Sequence, residues 1–419
     1  MATKPRIAKS ATPVEPARIE HLHVENFRAL RSVDLDLTPM TVLLGPNGSG
    51  KSTVFDVFNF LSECFTVGLR DAWDKRQRFQ ELRSRGTTGP IIFELRYRET
   101  PDDEPATYHL EIDEEGGRPI VVEEWLKRRR VSRSSPGAPF RILSYKRGKG
   151  WVLSGTRPER TDKKVREDLD EPDLLAVSTL GRLASNPHVA TLRRFITDWY
   201  VSYLAIDDTR GQPLAGAHER LSKTGDNLAN VVQFLQERHP GRLEEIFANL
   251  RRRVPQLQKV STQPSGDGRL LLQIKDAPFE HPVLARFASD GTMKLLAYLV
   301  VLHAPNLPQF IGIEEPENFL HPRLLQELGE ECRAATARSQ LLITTHSPFI
   351  LDTLKPEEVR VLHRDADGFT RVTEVSGIHG IADFLAEGAS LGQLWLEGRF
   401  GVGDPLVRHG APLASEARR

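Results

Sequence analysis

The sequence predicts an α/β fold that combines a mixed or parallel sheet core with an antiparallel β subdomain and an inserted helical lobe. A strand, a glycine-rich turn and a helix follow one another at 41–61, and a strand, helix, strand succession returns at 310–344. This order is typical of parallel strands joined by right-handed crossovers. Between the two halves, short alternating strands at 91–153 and helical periodicity at 168–256 indicate the other two parts.

These patterns divide the 419 residues into six segments. The first 18 residues are rich in Lys, Pro, Ala and Thr and lack periodicity, which is typical of disorder. In chain order the expected segments are the disordered tail (1–18), the first half of the core (19–100), a basic antiparallel β insertion (101–167), the helical lobe (168–256), the second half of the core (257–375) and a C-terminal tail (376–419).

The composition limits the kinds of protein that the chain can be. Basic and acidic residues number 57 each, and this balance argues against a protein coated in positive charge for nucleic acid. Cys64 and Cys332 lie far apart without the spacing of zinc ligands, so we expect reduced thiols. Because no apolar run approaches the ~18 residues of a membrane span, we expect a cytoplasmic protein without a membrane anchor.

The glycine-rich turn carries the strongest chemical signal. Residues 45–52 read G-P-N-G-S-G-K-S, the spacing of a P-loop between a strand and a helix. Its glycines let backbone N–H groups surround a polyphosphate, and the helix N-terminus adds partial positive charge. We expect Lys51 to reach the outer phosphates and Ser52 to bind Mg²⁺. The residues predicted to bind nucleotide here are Asn47, Gly48, Ser49, Gly50, Lys51, Ser52 and Thr53.

The predicted antiparallel strands carry a run of positive charge. Positions 127–151 contain nine basic residues and no acidic ones, with Tyr145 and Trp151 interleaved. Two interpretations stay open for this segment. It contacts the phosphate backbone of a nucleic acid, or it is a solvated hairpin.

Helices are predicted in the following segment, where apolar residues recur at steps of three and four. The first such series is Leu192, Phe195, Ile196 and Tyr200. No heptad pattern continues beyond a few turns, so we expect no long coiled-coil arm.

Two carboxylates end the buried strand predicted at 310–313. Ligands of open α/β sheets bind at this carboxyl edge. We therefore expect Glu314 to reach the magnesium shell and Glu315 to orient an attacking water. The alternative is an acidic turn that caps the next helix, a role in which Glu317 also fits.

Two further motifs are predicted to contact phosphate. His346 follows the next buried strand, where it can hydrogen-bond a γ-phosphate or sense its loss. Ser289 and Gly291 precede a helix, and such a turn is an anion site by the logic of the helix dipole. Because the P-loop already holds one set of phosphates, this second site suggests a phosphate presented by another protomer. An ordinary helix cap is the alternative.

Four motifs, in this order, resemble those of the ABC-type ATPase heads of the SMC and RecF-like class. They are N-F-R at 26–28, S-D-G-T at 289–292, E-E-P-E at 314–317 with L-H-P at 320–322, and T-H-S-P at 345–348. The chain is also similar to stand-alone bacterial ATPases of phage-defence systems and to the ATPase part of the overcoming-lysogenization-defect nucleases.

The resemblance implies roles for individual residues. Glu315 would be the catalytic glutamate, His346 the switch histidine and Lys51 the phosphate-binding lysine. Arg28 would lie near the nucleotide, and Gln80 is a candidate for the glutamine loop.

The resemblance also implies that Ser289 and Gly291 contact the γ-phosphate across a dimer. The sequence departs here from the L-S-G-G signature, because Ala288 and Asp290 replace the leucine and the first glycine.

The function implied by the resemblance is an ATPase that uses ATP and Mg²⁺, with slow or partner-stimulated hydrolysis. It would form a homodimer, or a higher even oligomer, around ATP and control DNA or a separate effector, a nuclease or toxin, in anti-phage defence. The alternative is a RecF-like clamp for DNA repair or DNA ends that uses 127–151. A transporter subunit is disfavoured by the basic insertion and the altered signature.

The residues after Arg364 are too few for the Toprim nuclease domain of those nucleases, so we expect any nuclease or toxin in another polypeptide. Asp365 and Asp367, followed by Gly368, predict a hairpin turn rather than a metal site. An apolar stripe at 390–396 predicts core packing or a docking site for a partner.

Overall fold

The structure, a computed structural model, describes residues 16–77, 79–129, 138–155 and 163–404. Its strands are β1 (Arg18–Phe27), β2 (Leu30–Asp36), β3 (Met40–Leu44), β4 (Ile91–Arg98), β5 (Ala106–Glu115), β6 (Arg118–Arg129), β7 (Pro139–Lys146), β8 (Lys149–Leu153), β9 (Lys164–Arg166), β10 (Tyr200–Ser202), β11 (Leu257–Pro264), β12 (Leu270–Asp276), β13 (Val283–Leu284), β14 (Phe310–Glu314), β15 (Gln340–Thr345), β16 (Val359–Arg364) and β17 (Thr370–Glu374). Its α-helices are α1 (Lys51–Thr66), α2 (Leu69–Asp74), α3 (Phe79–Leu82), α4 (Ala176–Leu180), α5 (Pro187–Thr197), α6 (Ile206–Thr209), α7 (Leu228–Arg238), α8 (Pro240–Arg253), α9 (Asp290–Leu302), α10 (Pro322–Ala335), α11 (Pro348–Leu351), α12 (Ile381–Ala386) and α13 (Leu391–Leu396).

Six strands form the central sheet, in the order β10, β14, β15, β3, β16, β17. The first five run parallel, and β17 returns antiparallel to β16. β3 and β15 are buried along their whole length, as expected for strands covered on both faces. On one face lies α1, whose Phe58 stacks on Phe310 of β14 with ring centroids 4.7 Å apart. The predicted mixed or parallel core is confirmed.

Eight antiparallel strands form a second sheet, in the order β2, β1, β4, β5, β6, β7, β8, β9. Alternate residues of β4 and β5 are buried, the period of a sheet with one covered face. These two strands pair from Ile91 opposite Ile112 to Tyr97 opposite Ala106. The sheet therefore continues through the boundary expected at residue 100, because strand pairing depends on register and not on local composition.

The segment expected to be helical contains α4 to α8 but also one strand of the central sheet. Tyr200, predicted to continue a helix from Leu192, instead begins β10, which pairs in parallel with β14. The helix α5 ends at Thr197, and a strand of three residues is too short to show a period of its own. A third sheet, of β11, β12 and β13, follows this segment.

The two ends of the described chain are both packed. Residues 1–15 of the tail expected to be disordered lie outside the described residues, but the expected end of that tail is wrong, because Ala17 is buried and Arg18 begins β1. At the other end, Leu391 and Leu394 of α13 are buried in the core. Part of the apolar stripe at 390–396 thus packs internally, whereas Leu396 is 73% exposed. Residues 405–419 lie outside the description.

Both thiols are buried and unpaired, Cys64 in one hydrophobic core and Cys332 in the other. Among the described ranges, no helix is long and apolar enough to span a bilayer.

A row of histidines and carboxylates crosses the second sheet. His23 contacts Asp34 through Nδ1 at 2.9 Å and Glu25 through Nε2 at 3.0 Å. His21 and His109 each bridge two carboxylates in the same way. An imidazole must carry both protons to donate to two carboxylates. Although burial opposes the charge, these hydrogen bonds raise the pKa of His23 and of His109 above their ordinary values.

We expect protonation of His23 and His109 to stabilise the fold. A raised pKa in the folded state gives stability that is complete below the unfolded value of about 6.5 and is lost as pH rises through the folded value. The melting temperature should therefore fall between pH 6 and pH 8, by a few degrees at most, since 1 kcal/mol corresponds to about 2–4 °C even in a smaller domain of 150–250 residues. The variant with His23→Gln and His109→Gln should show a smaller fall.

Thermal unfolding followed by circular dichroism at several pH values measures the slope of melting temperature against pH. The exposed His379 provides the control variant His379→Gln, which should keep the wild-type slope. An identical slope in the double variant and the wild type would contradict the prediction.

Candidate functional site

The carboxyl ends of four neighbouring parallel strands meet at one edge of the central sheet. β14 ends at Glu314 and Glu315, β15 leads to His346, β3 leads to the loop at 45–52, and β16 ends at Arg364. The parallel sheet therefore brings together the predicted site residues that come from both halves of the sequence.

The loop at 45–52 has a backbone that requires glycine. Gly45, Gly48 and Gly50 have φ values of +149°, +76° and +109°, a region that other residues seldom adopt. A Cβ atom on Gly45 would lie 2.2 Å from the carbonyl oxygen of Leu362, and one on Gly50 would lie 2.2 Å from Oγ1 of Thr370. Because side chains are excluded at Gly45 and Gly50, the backbone forms the surface of the loop at these positions. The helix α1 begins at Lys51, directly after Gly50.

Lys51 folds back over this loop. Its Nζ donates to the carbonyl oxygens of Gly45 (2.8 Å) and Pro46 (3.2 Å) and lies 2.9 Å from Nε2 of His346. The residue is 5% exposed. Burial lowers the pKa of Lys51, whereas the carboxylates at the end of β14 act against that change. The ammonium group thus lies beside the carbonyl groups of the loop and the ring of His346.

Ser52 and Glu314, the predicted magnesium residues, are in direct contact. Glu314 accepts a hydrogen bond from Ser52, and burial raises the pKa of this carboxyl. Hydroxyl and carboxylate oxygens are ligands that Mg²⁺ accepts together with phosphate oxygens. In addition, the buried Oγ of Ser49 has no hydrogen-bond partner among the described residues. This donor set fits a magnesium nucleotide.

No cluster of three or more His, Cys, Asp or Glu side chains that could hold a metal occurs in the described part of the chain. An ion bound by Ser52 and Glu314 would therefore take its remaining ligands from phosphate oxygens and water.

Glu315 is held in an unusual backbone conformation. Its φ of +42° is in the left-handed region, and its N–H donates to the carbonyl oxygen (3.0 Å) and Oγ1 (3.1 Å) of Thr344. Its carboxylate lies 3.2 Å from Nε2 of His346 and accepts a hydrogen bond from Asn318 at 3.2 Å. Such strain in a residue other than glycine is typical of functional sites. His346 thus lies between Glu315 and Lys51.

Two charged side chains form hydrogen bonds to the backbone of His346 and Glu315. Glu317 accepts a hydrogen bond from the N–H of His346, and its Oε2 is buried without a partner among the described residues. Lys294 of α9 is 3% exposed and donates to the carbonyl oxygen of Glu315 at 3.2 Å. Sequence reasoning missed Lys294, although it is the one charged residue in the apolar run at 293–302.

Ser289 caps α9, as the alternative interpretation expected. Its Oγ accepts a hydrogen bond from the N–H of Thr292 at 3.2 Å. Arg210 pairs with Asp290 and donates to the carbonyl oxygen of Ala288 at 2.6 Å, which fixes the preceding turn. Within the described residues, no hydrogen bond joins this turn to the loop at 45–52. The structure therefore does not bring Ser289 and Gly291 into the site of their own chain.

Arg28 and Gln80 line a cavity of about 670 Å³ beside the start of α1, together with Thr53 and Arg364. Arg28 also forms an ion pair of 2.8 Å with Asp56 of α1. Three of the predicted residues, Arg28, Gln80 and Thr53, therefore line one cavity. It also contains Arg364, which sequence reasoning did not select.

Several basic residues of the segment at 127–151 form ion pairs with acidic side chains. Part of it, 130–137, lies outside the described residues. Lys146 forms an ion pair with Glu123 at 3.1 Å. Tyr145, one of the two aromatic residues in this segment, is 1% exposed and packs within the sheet.

Comparison with known proteins gives one family and two curated relatives. The family model described as "AAA domain, putative AbiEii toxin, Type IV TA system" matches residues 40–352. The OLD nuclease of Thermus scotoductus is 24% identical over 381 residues, and the Old nuclease of Escherichia phage P2 is 21% identical over 379 residues. The alignments cover 83% and 84% of this chain but 62% and 60% of the relatives. The chain thus spans about three fifths of their length.

Two solved SMC heads have a similar fold. The first, an SMC head bound to the C-winged helix domain of ScpA, has a TM-score of 0.51 and 15% identity, with 85% of this chain and 96% of that chain covered. The second, from Pyrococcus furiosus, has an extended coiled coil and is bound to the C-terminal domain of ScpA. Its TM-score is 0.50 at 13% identity, with 88% and 100% covered. This likeness confirms the predicted fold class of an ABC-ATPase head.

Replacing Lys294 with Met is expected to stabilise the fold at neutral pH. Burial lowers the pKa of Lys294 to about 8, below the unfolded value of about 10.4. Between these pH values the unfolded chain binds more protons than the folded protein, so wild-type stability rises with pH. Lys294→Met should melt above the wild type at pH 7, and the difference should shrink as the pH is raised from 8 to 10.

Melting temperatures at pH 7, 8, 9 and 10 provide the measurement. Lys275→Met, on β12, is the control and should change little with pH. If the melting temperatures of Lys294→Met and the wild type differ by the same amount at pH 7 and pH 10, the lowered pKa of Lys294 is refuted.

Proposed function

The chain belongs to the AAA-domain family whose model matches residues 40–352, as an ATPase of the SMC and RecF-like class related to OLD nucleases, and we propose that it is an ATP-driven switch. Two copies close around ATP, hydrolysis opens the pair, and the change controls a separate effector or DNA. The observation that carries the proposal is the row of Lys51, His346 and Glu315 beside the P-loop, with distances of 2.9 Å and 3.2 Å.

Each residue of the site has a defined task in this proposal. The backbone of the loop and Lys51 bind the phosphates, and Ser52 and Glu314 hold the magnesium ion. Mg²⁺, when bound, neutralises charge on the phosphate oxygens. Glu315 accepts a proton from the attacking water and orients it. His346, placed between Glu315 and Lys51, changes its hydrogen bonds when the γ-phosphate arrives or leaves.

In this proposal the second copy supplies Ser289 and Gly291, which the structure does not place beside the P-loop of their own chain. Ser289 and Gly291 face a nucleotide held by the partner, a placement supported by the lack of any hydrogen bond to their own P-loop among the described residues. Three large apolar side chains that lie next to site motifs in the sequence are exposed. They are Phe287 (70%) before Ser289, Phe319 (63%) after Glu317 and Phe349 (41%) after His346. Exposed aromatic groups of this kind are typical of interaction surfaces.

The effector is proposed from the relatives. The two curated relatives are named nucleases, and the family description names a toxin of a type IV TA system. We therefore propose a nuclease or toxin as the controlled activity, in anti-phage defence. A DNA clamp that depends on 127–151 has less support, because Lys146 is paired and Tyr145 is buried.

Glu315→Gln is expected to trap the closed pair. The amide keeps the shape of the side chain but cannot accept the proton, so hydrolysis should fall by about 10²–10⁴-fold. In size-exclusion chromatography with light scattering, Glu315→Gln should become dimeric when ATP and Mg²⁺ are added.

Lys51→Ala, which loses the phosphate contact, is the matched control and should stay in its ATP-independent state. Glu315→Gln that binds ATP yet remains monomeric at saturating ATP would exclude closure of two copies around the nucleotide.

A further inference from the structure

The hairpin of β16 and β17 contacts the P-loop from outside. β16 lies next to β3 in the central sheet, and β17 returns along it. This hairpin lies beyond the residues that the family model matches. Arg364 donates from Nε to the carbonyl oxygen of Gly48 at 2.6 Å, and Thr370 donates from Oγ1 to the carbonyl oxygen of Ser49 at 2.8 Å. Two successive carbonyl groups of the loop are therefore bonded to the hairpin.

These two bonds determine where the loop points its N–H groups. In a trans peptide unit the C=O and the N–H of the next residue point in opposite directions. Holding the carbonyl of Gly48 outward directs the N–H of Ser49 inward, where it closes a turn onto the carbonyl oxygen of Pro46 at 3.2 Å. Holding the carbonyl of Ser49 outward likewise directs the N–H of Gly50 inward. The N–H of Gly50 makes no hydrogen bond within the described residues and is available to an anion.

The hairpin is itself held firmly, so it can act as a support. Asp365 accepts hydrogen bonds from the N–H groups of Asp367 (3.1 Å) and Phe369 (2.9 Å) and from Arg371 (2.8 Å). Asp365 and Asp367 thus lie in the predicted hairpin turn. Thr370 is 1% exposed, and its backbone N–H donates to the carbonyl oxygen of residue 29 at 2.9 Å.

We propose that Arg364 and Thr370 are positioning residues of the nucleotide site, which fix two successive peptide units of the P-loop so that the N–H of Ser49 closes the turn onto Pro46 and the N–H of Gly50 is left to bind phosphate. The inference rests on the proposed function and deepens it, because it makes the affinity for ATP and ADP depend on this hairpin. Neither side chain is assigned a contact with the reacting atoms. The hydrolysis step itself stays with Glu315 and His346.

Calorimetric titration of the full chain with ATP and with ADP, both with Mg²⁺, tests the proposal. Thr370→Val removes the donor at nearly constant shape and should raise both dissociation constants about five- to tenfold, the effect of one lost hydrogen bond. Arg364→Ala should act in the same direction, and Thr370→Ser should restore the wild-type affinity. Because Glu315 is untouched, KM should rise with the dissociation constant while kcat changes less than about twofold.

A matched control comes from the same hairpin. Thr373→Val changes a side chain that makes no hydrogen bond to the loop among the described residues, and it should keep the wild-type affinity. Melting temperatures are measured in parallel, and Arg364→Ala compared with Thr373→Val tests the inference if Thr370→Val does not fold.

Two results would overturn the inference while leaving the ATPase intact. One is unchanged affinity in Thr370→Val and Arg364→Ala. The other is an equal loss in Thr370→Val and Thr370→Ser that follows their melting temperatures. A wild-type protein that binds neither nucleotide would instead refute the proposed function itself.

Discussion

The parallel pairing of β14, β15, β3 and β16 is the constraint on which the site depends. Its register places Glu314 opposite Thr344, Thr345 opposite Leu44, and Leu44 opposite Val361. Each functional segment begins within two residues of these pairs, so the distances between Lys51, His346 and Glu315 follow from the sheet. Because the strands are buried on both faces, a shift of register would misplace apolar side chains as well as the site. The core and the site are therefore specified by the same apolar contacts.

The site also brings buried positive and negative charges close together. Two buried lysines, Lys51 and Lys294, approach the acidic end of β14 from opposite elements, α1 and α9. Burial lowers the pKa of both lysines and raises the pKa of Glu314, which shows that each charge is costly at its position. The opposite charges offset part of that cost. A phosphate entering this edge meets cations that already lack full solvation, which strengthens their attraction for it.

The sequence revealed those parts of the site that depend on local spacing. The loop at 45–52, Glu315 and His346 each stand in a short segment whose strand and turn are encoded next to them. Lys294 and Arg364 were missed because their roles arise only when α9 and β16 pack beside distant strands. The burial of Tyr145 and the strand at Tyr200 were missed for the same reason, since apolar periodicity shows that a residue is covered but not what covers it.

The hairpin and the antiparallel sheet together immobilise the beginning of α1. Thr370 is bonded to the loop through its side chain and to the turn between β1 and β2 through its backbone. In that turn, Arg28 pairs with Asp56 on α1, and Arg76 holds the same carboxylate from the other side at 2.7 Å. The hairpin, the loop, α1 and the β1–β2 turn are thus linked by successive hydrogen bonds and ion pairs. Because β1 and β2 belong to the eight-stranded sheet, these contacts connect the loop and α1 to that sheet.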